Sequence, residues 1–252
     1  MLETAIFEKG GYRYIRGPFQ YSGGVAAEPG HAIERVRFRN RPAIDDGFQA
    51  IEAYLTSLGR PLTAFCACEL RSPAPFTEEG FIAFNRVYVG TLERWGIFKD
   101  EENPVARSNV CPEIDPPAEP VFHAFSYTVA AEGGGAAVNF VNAGSADANA
   151  EGAEGESRII RPGDTSPDGM RAKAGHVLDI QEGRLAALGA GWADTTATQV
   201  YTVHDIHPVL ADEIVARGAV PAGLTWYYAR PPVEGLDYEM DVRGVTVERV
   251  LE

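Results

Sequence analysis

The order of predicted helices and strands repeats in the two halves of the chain, and this repeat limits the possible folds most strongly. In the first half, apolar residues at helical spacing predict a helix over residues 45–58, and residues 77–79 begin a second helix. In the second half, residues 166–168 begin a helix that ends at Gly189, and residues 208–216 predict another. A repeated unit of this kind indicates internal duplication of an α+β module.

Stretches rich in apolar, β-branched and aromatic residues predict the strands that accompany these helices. The predicted strands are residues 12–21, 33–38, 62–70, 121–129, 137–143, 195–203, 225–229 and 236–242. We therefore predict an α+β fold of two tandem modules, residues 1–130 and 131–252, each with a mixed sheet and two helices on one face.

The charge of the chain restricts its partners. With 36 acidic residues against 22 Lys and Arg, the formal net charge is −14. This argues against nucleic acid and anionic membranes, because both require basic surfaces. No apolar run reaches the length of a membrane span, and no basic start followed by an apolar run indicates a signal peptide. We expect a cytoplasmic protein whose anionic ligands would need a local positive group.

The three cysteines do not form a disulfide framework or a zinc site. Their number is odd, and the spacing of Cys66 and Cys68 is not that of a zinc knuckle. We interpret these two residues and Cys111 as reduced thiols of the core or of a pocket. The sequence therefore predicts neither a metal nor a cofactor.

Arg107 is the strongest candidate for a ligand-binding residue. The segment around it, residues 103–110, is typical of a loop that enters a strand. A guanidinium fixed at such a junction can bind both oxygens of a carboxylate, because its planar fork presents paired donors. The alternative is an arginine that pairs with an aspartate on the surface. The preceding segment, residues 84–88, predicts a helix turn with buried aromatic residues.

The first half resembles the RidA/YjgF superfamily of enamine and imine deaminases, whose modules have a chorismate-mutase-like shape. Four segments carry the resemblance in the order of the family: residues 21–24 (YSGG), 47–59, 84–88 (FNRVY) and 105–110 (VARSNV). The second half is similar at residues 140–144, 229–232 and 237–241. The resemblance implies tandem RidA-like modules and a homo-oligomer, most simply a trimer.

The resemblance also implies roles for particular residues. It assigns Arg107 to the substrate carboxylate and Asn85 to the pocket, with Ser108 and Tyr21 as further substrate-binding residues. The family's glutamate is replaced in the first half by His123, which could instead be a hydrogen-bonded core histidine.

In the second half Glu239 fits the place of that glutamate, so a composite site with residues from both halves is one possibility. Glu69 is a further catalytic candidate and Arg71 a further substrate-binding candidate. Both would face the same side of a strand, and the alternative is that they pair with each other.

The whole chain resembles the 2-amino-5-chloromuconate deaminase group of nitroaromatic breakdown. The segments that carry this resemblance are residues 65–73 (FCACELRSP) and 194–201 (DTTATQVY). It implies hydrolytic loss of ammonia from an amino-dienoate, with a small carboxylate as substrate. Two other functions stay open: a non-catalytic module that binds a carboxylate metabolite, and a hydrolase related to the enzymes that hydrolyse chorismate.

Overall fold

The computed structural model describes residues 2–131, 138–149 and 157–252. The helices are α1 (Ile44–Ser57), α2 (Glu78–Arg94), α3 (Pro167–Leu188) and α4 (His207–Val209), and α4 continues as a π-helix over Leu210–Val215. The strands of the first half are β1 (Thr4–Phe7), β2 (Tyr12–Ile15), β3 (Gly24–Ala27), β4 (His31–Phe38), β5 (Phe65–Arg71), β6 (Ala106–Pro112) and β7 (Val121–Ala130). Those of the second half are β8 (Phe140–Ala146), β9 (Ala197–Tyr201), β10 (Leu224–Tyr227), β11 (Ala229–Arg230), β12 (Glu239–Gly244) and β13 (Val247–Leu251).

The helices begin and end close to the predicted positions, because their signals are local. Ser166 caps α3 by accepting a hydrogen bond from the backbone N–H of Gly169 at 3.2 Å. Gly189 ends this helix with a φ of 76°, a conformation that glycine adopts without steric cost. Leu58 was predicted on the apolar stripe of α1, but it follows the last helical turn and is 49% exposed. Within the described ranges, no helix is long and apolar enough to cross a membrane.

The strands form two mixed sheets that each draw on both halves of the sequence. The seven-stranded sheet has the order β1-β2-β3-β8-β12-β9-β10, and the six-stranded sheet has the order β11-β6-β5-β7-β4-β13. The first three strands of the chain therefore lie in a sheet with strands of the second half. In return, β13 pairs in parallel with β4, and β11 pairs antiparallel with β6.

The predicted fold of two tandem RidA-like modules is therefore wrong. The helices and most of the strands were predicted in the right order, but the sequence pattern contains no information about which distant strand each edge will pair with. Periodicity identifies a strand and its buried face, whereas pairing depends on contacts across the whole chain. The domain boundary between residues 130 and 131 stays a prediction.

Each sheet is covered by helices on one side and contacts the other sheet on its remaining side. α1 and α2 pack on the six-stranded sheet through an aromatic core that includes Phe48 and Tyr88. α3 and α4 pack on the seven-stranded sheet through aliphatic residues such as Leu178. Between the sheets, small and aromatic residues occupy one end, and polar and charged residues occupy the middle. This polar layer is the feature that places the candidate site.

Lys173 connects α3 to the end of β8 and the start of β12 through a buried ion cluster. Its Nζ donates to Asp147 Oδ2 at 2.7 Å and lies 3.2 Å from Asp237 Oδ2, and neither Lys173 nor Asp147 is exposed. Lys173→Met is expected to lower the free energy of unfolding by about 3–5 kcal/mol, because it leaves a buried carboxylate without its partner. Urea unfolding measures this loss.

The matched control is Lys99→Met, since Lys99 has a side chain that is 84% exposed. This control is expected to change the free energy of unfolding by less than about 0.5 kcal/mol. Equal stability of the Lys173 and Lys99 variants would contradict the role of the buried cluster.

Candidate active site

Arg107 lies near the start of β6, and only 2% of its surface is exposed. Its guanidinium carbon lies 4.8–5.8 Å from the ring centroids of Tyr21, Phe81, Phe84 and Tyr88. The last three residues share one face of α2, because they are three and four positions apart. The rings exclude water and provide cation–π attraction of about 0.5–2 kcal/mol. The guanidinium is therefore enclosed by aromatic groups rather than exposed at the surface.

The polar atoms of this aromatic cage lack partners. Among the residues that the structure describes, neither Nη1 nor Nη2 of Arg107 makes a hydrogen bond. A buried donor without an acceptor costs about 1–3 kcal/mol, so the fold retains a group that a ligand can satisfy. On α2, Asn85 donates from Nδ2 to the carbonyl oxygen of Phe81 at 2.6 Å, and its Oδ1 accepts no hydrogen bond from the described residues. A fork of donors and an acceptor are thus available together.

Glu239 reaches the other face of β6 from the opposite sheet. It is the first residue of β12 and is 3% exposed. A methyl group on Gly144 of β8 would lie 2.1 Å from Glu239 Oε1 and 3.1 Å from Ser108 Cβ. Burial, followed by the charge of Asp241, raises the pKa of Glu239 well above its usual value, although nearby arginines oppose this shift. The carboxyl group therefore keeps its proton to a higher pH than an ordinary glutamate and can donate it.

Arg184 of α3 belongs to this cluster and was not predicted from the sequence. Its Nη1 donates to the carbonyl oxygens of Ala143 at 2.7 Å and Gly144 at 3.3 Å. Burial lowers the pKa of Arg184, and the charges of Tyr21 and Glu239 raise it. The available sequence signal was the lack of an acidic residue at positions 180, 181, 187 and 188, the helical neighbours with which a surface arginine would pair.

A small cavity lies between the two sheets beside these residues. Its volume is about 10 Å³, enough for about one water molecule, and its lining includes Cys68, Arg107, Ser108 and Asp241. The Cys68 thiol lies 3.2 Å from the Tyr88 hydroxyl, and burial raises its pKa to about 12. Such a thiol is a packing group and not a nucleophile at neutral pH.

The remaining predicted residues form a second group between the sheets. Glu69 accepts hydrogen bonds from Arg35 at 2.6 and 2.9 Å. Although burial opposes it, the Arg35 charge holds the pKa of Glu69 well below its usual value. His123 Nε2 and Arg71 Nη2 lie 3.9 and 3.8 Å from Glu69 Oε2. The predicted pairing of Glu69 with Arg71 is therefore weak, because Arg35 occupies the carboxylate.

The structure thus divides the predicted site residues into two sets. One set lies on or beside β6: Tyr21 contacts the Arg107 guanidinium, Asn85 lies on α2, and Ser108 and Glu239 lie on the other face of the strand. The other set consists of Glu69, Arg71 and His123. Burial and the Arg71 charge lower the pKa of His123 to about 3, so this imidazole is neutral at physiological pH. The catalytic roles of His123 and Glu69 stay predictions.

An arginine fork that has no partner in the described residues, held in an aromatic cage, and a carboxyl group of raised pKa on the other face of the same strand define a site for small organic acids. The family model described as "2-aminomuconate deaminase CnbZ" matches residues 4–249, and the chain belongs to this family. It is 52% identical over 251 residues to the 2-amino-5-chloromuconate deaminase of Comamonas testosteroni, with 100% of both chains covered. The predicted deaminase group is confirmed, whereas the RidA/YjgF superfamily is not shown by these matches.

The solved structures that match are distant. A chorismatase structure has a TM-score of 0.46 and 13% identity, covering 92% of this chain and 79% of the other. The cyanuric acid hydrolase of A. caulinodans has a TM-score of 0.41 and 14% identity, covering 85% of this chain and 66% of the other. The oligomeric state is untouched by these matches, so the trimer stays a prediction.

Proposed function

We propose that this chain hydrolyses a 2-aminomuconate-type enamine, such as 2-amino-5-chloromuconate, and releases ammonia. The family and the relative of known name support the reaction. The observation that carries the site assignment is the buried Arg107 fork without a hydrogen-bond partner in the described residues, on a strand whose other face lies beside Glu239, a carboxyl group of raised pKa. A carboxylate of the substrate would satisfy the fork, and its enamine carbon would need the proton.

Each polar group of the site has a task in this proposal. The fork of Arg107 binds the carboxylate next to the amine and stabilises the negative charge that spreads along the conjugated acid. Asn85 Oδ1 accepts a hydrogen bond from the substrate N–H. Arg184 adds a second positive charge beside Glu239, which suits a substrate with two carboxylates.

The reaction then follows from one proton donor and one water. Glu239 gives its proton to the enamine carbon, and the carbon–nitrogen double bond of an iminium forms. Water adds to the iminium carbon while the Glu239 carboxylate takes a proton from it, which regenerates the acid. Glu239 gives its proton to the nitrogen of the resulting carbinolamine, and the carbon–nitrogen bond breaks. The hydroxyl proton returns to the Glu239 carboxylate as the carbonyl forms, and a 2-oxo acid and ammonia leave. Enamine and water are consumed, and one oxo acid and one ammonia are produced.

Ammonia release from 2-aminomuconate by the purified chain tests this proposal. Deamination with loss of the dienoate absorbance is the expected result, and a Glu239→Gln sample is the matched control. If the chain binds the amino acid without turnover, it is instead a carboxylate-binding module. Incubation with chorismate in parallel separates the third function, since only a chorismate-hydrolysing enzyme would release pyruvate.

Gly144→Ala tests the contact between β8 and the carboxyl group. The added methyl group would overlap Glu239 Oε1, which is the mobile end of a side chain and can move away. We expect the fold to persist and kcat to fall by about 10²-fold, because a displacement of about 1 Å in a catalytic group has this effect. Initial rates of ammonia release measure it.

Gly183→Ala is the matched control for this substitution. No atom lies within 4 Å of a methyl group built on Gly183 in the described structure, so its kcat is expected to stay within about 2-fold of the wild type. A Gly144→Ala enzyme with unchanged kcat would remove Glu239 from the proposed site.

A further inference from the structure

An open cleft on the six-stranded sheet carries positive charge that the proposed reaction does not use. Its volume is about 370 Å³, which is within the range of small-molecule sites. Its charged residues are Arg37, Arg39, Arg41 and Arg71, and the neutral imidazole of His123 lies beside them. Its aromatic wall consists of Phe38, Trp226, Tyr227 and Tyr228. No aspartate or glutamate is part of this lining, although the chain as a whole has a net charge of −14.

Arg71 is the buried end of this cleft. It is 2% exposed, and its Nη1 donates to the carbonyl oxygen of Leu70 at 2.8 Å. Its Nη2 makes no hydrogen bond within the described residues. The guanidinium carbon lies 5.4 and 5.3 Å from the rings of Tyr201 and Tyr227, which hold its plane. The cleft therefore ends in an arginine with an unsatisfied donor, as the Arg107 cage does.

The acidic groups closest to the cleft do not neutralise it. Glu69 is occupied by the two hydrogen bonds from Arg35. Arg39 and Arg41 pair with Glu252 and Asp115, whose side chains are 79% and 86% exposed. Ion pairs of this exposed kind contribute little and exchange readily with solvent or a ligand. The positive charge is thus available to an incoming anion.

Tyr227 and His123 show what shape of anion would fit. Their rings meet edge to face with centroids 6.2 Å apart, and Tyr227 stacks on Tyr201 at 5.3 Å and 17°. These flat surfaces favour a planar, conjugated ligand over a bulky one. Arginine forks at the buried end and at the rim favour a carboxylate at each end of that ligand.

We propose that this cleft is a second ligand site, separate from the Arg107 cage, that binds a planar conjugated dicarboxylate. It goes beyond the proposed deaminase site and does not depend on it. Bound there, a muconate-type anion occupies the cleft without being deaminated, because no carboxyl group lines it to donate a proton.

The fluorescence of Trp226 reports whether a ligand occupies the cleft. Its indole lines the cleft and donates from Nε1 to the carbonyl oxygen of Thr202 at 2.9 Å. Titration with muconate, which has no amine to lose, is expected to change the tryptophan fluorescence of the wild type and not that of Trp226→Phe. Calorimetric titration of the same samples measures the affinity of each site.

A double variant separates the two sites. Arg37→Ser with Arg41→Ser removes two charges of the rim and is expected to weaken muconate binding at the cleft by at least about 10-fold, as loss of a charged hydrogen bond does. Ammonia release is expected to stay within about 2-fold of the wild type. Arg94→Ser with Arg249→Ser, two arginines outside the cleft, removes the same charge and controls for it.

Each outcome decides the proposal. Muconate binding at Trp226 that fails in the rim variant and persists in Arg107→Met supports a second site, even if no enamine is turned over. Binding that persists in the rim variant but fails in Arg107→Met refutes it. If the rim variant abolishes ammonia release while Arg107→Met retains it, the cleft is the reaction site, and both assignments are overturned.

Discussion

Arg107→Met is expected to lower kcat/KM for the amino-dienoate by about 10³-fold or more while the fold stays intact. The substitution removes a bidentate, charge-assisted contact to the substrate carboxylate, and with it the positive charge that stabilises the developing anion. Stability should change little. Removing a buried donor that has no acceptor increases the free energy of unfolding by about 1–3 kcal/mol. This gain offsets the loss of about 0.5–2 kcal/mol of cation–π attraction between Arg107 and the rings around it. Steady-state kinetics and urea unfolding measure the two effects.

Arg107→Lys distinguishes charge from geometry in the same cage. A lysine keeps the charge but not the fork, so we expect an intermediate loss of about 10- to 100-fold in kcat/KM. Arg86→Met is the control on α2, since the Arg86 side chain is 50% exposed and pairs with Glu101. Normal turnover by Arg107→Met would leave the proposed carboxylate site without support.

The helices could be predicted from the sequence because their signals are short-range. Ser166 and Gly189 bound α3 as predicted, and the buried residues of that helix include Met170 and Leu188. The strands at the ends of the chain were missed. β13 is five residues long and carries two adjacent charged residues, Glu248 and Arg249, and only its parallel pairing with β4 makes it a strand. The sheets could not be predicted, because that pairing joins residues more than 200 positions apart.

The residues of the candidate site also differ in whether short-range sequence signals could identify them. Arg107, Asn85 and Tyr21 were proposed together only through the RidA/YjgF resemblance, whose fold is wrong for this chain, so their shared role stays a prediction. Glu69 could not be judged from its neighbours in sequence, since its partner Arg35 is 34 positions away. Arg184 could not be found either, because only the packing of α3 against β8 brings it to the backbone of Gly144. The types of the residues suggested the chemistry, and long-range packing determined which of these residues lie together in the candidate site.

Glu239→Gln is expected to lower kcat by about 10²–10⁴-fold with little change in KM. Glutamine has the same size and stays neutral, but it cannot donate the proton that the enamine carbon needs. Glu234→Gln, at an exposed position outside the site, is the control and should match the wild type. A single-turnover measurement of ammonia release separates this loss of chemistry from slow product release.

The dependence of kcat on pH tests the same role of Glu239, and its direction follows from the raised pKa. Because burial raises the pKa of Glu239, the group is a proton donor below that pKa and loses the proton as the pH rises through it. The kcat of the wild type should therefore fall on the alkaline side, and the residual activity of Glu239→Gln should lack that limb. A variant that kept both the rate and the alkaline limb would show that another group, such as Asp241, whose pKa burial also raises, carries the proton.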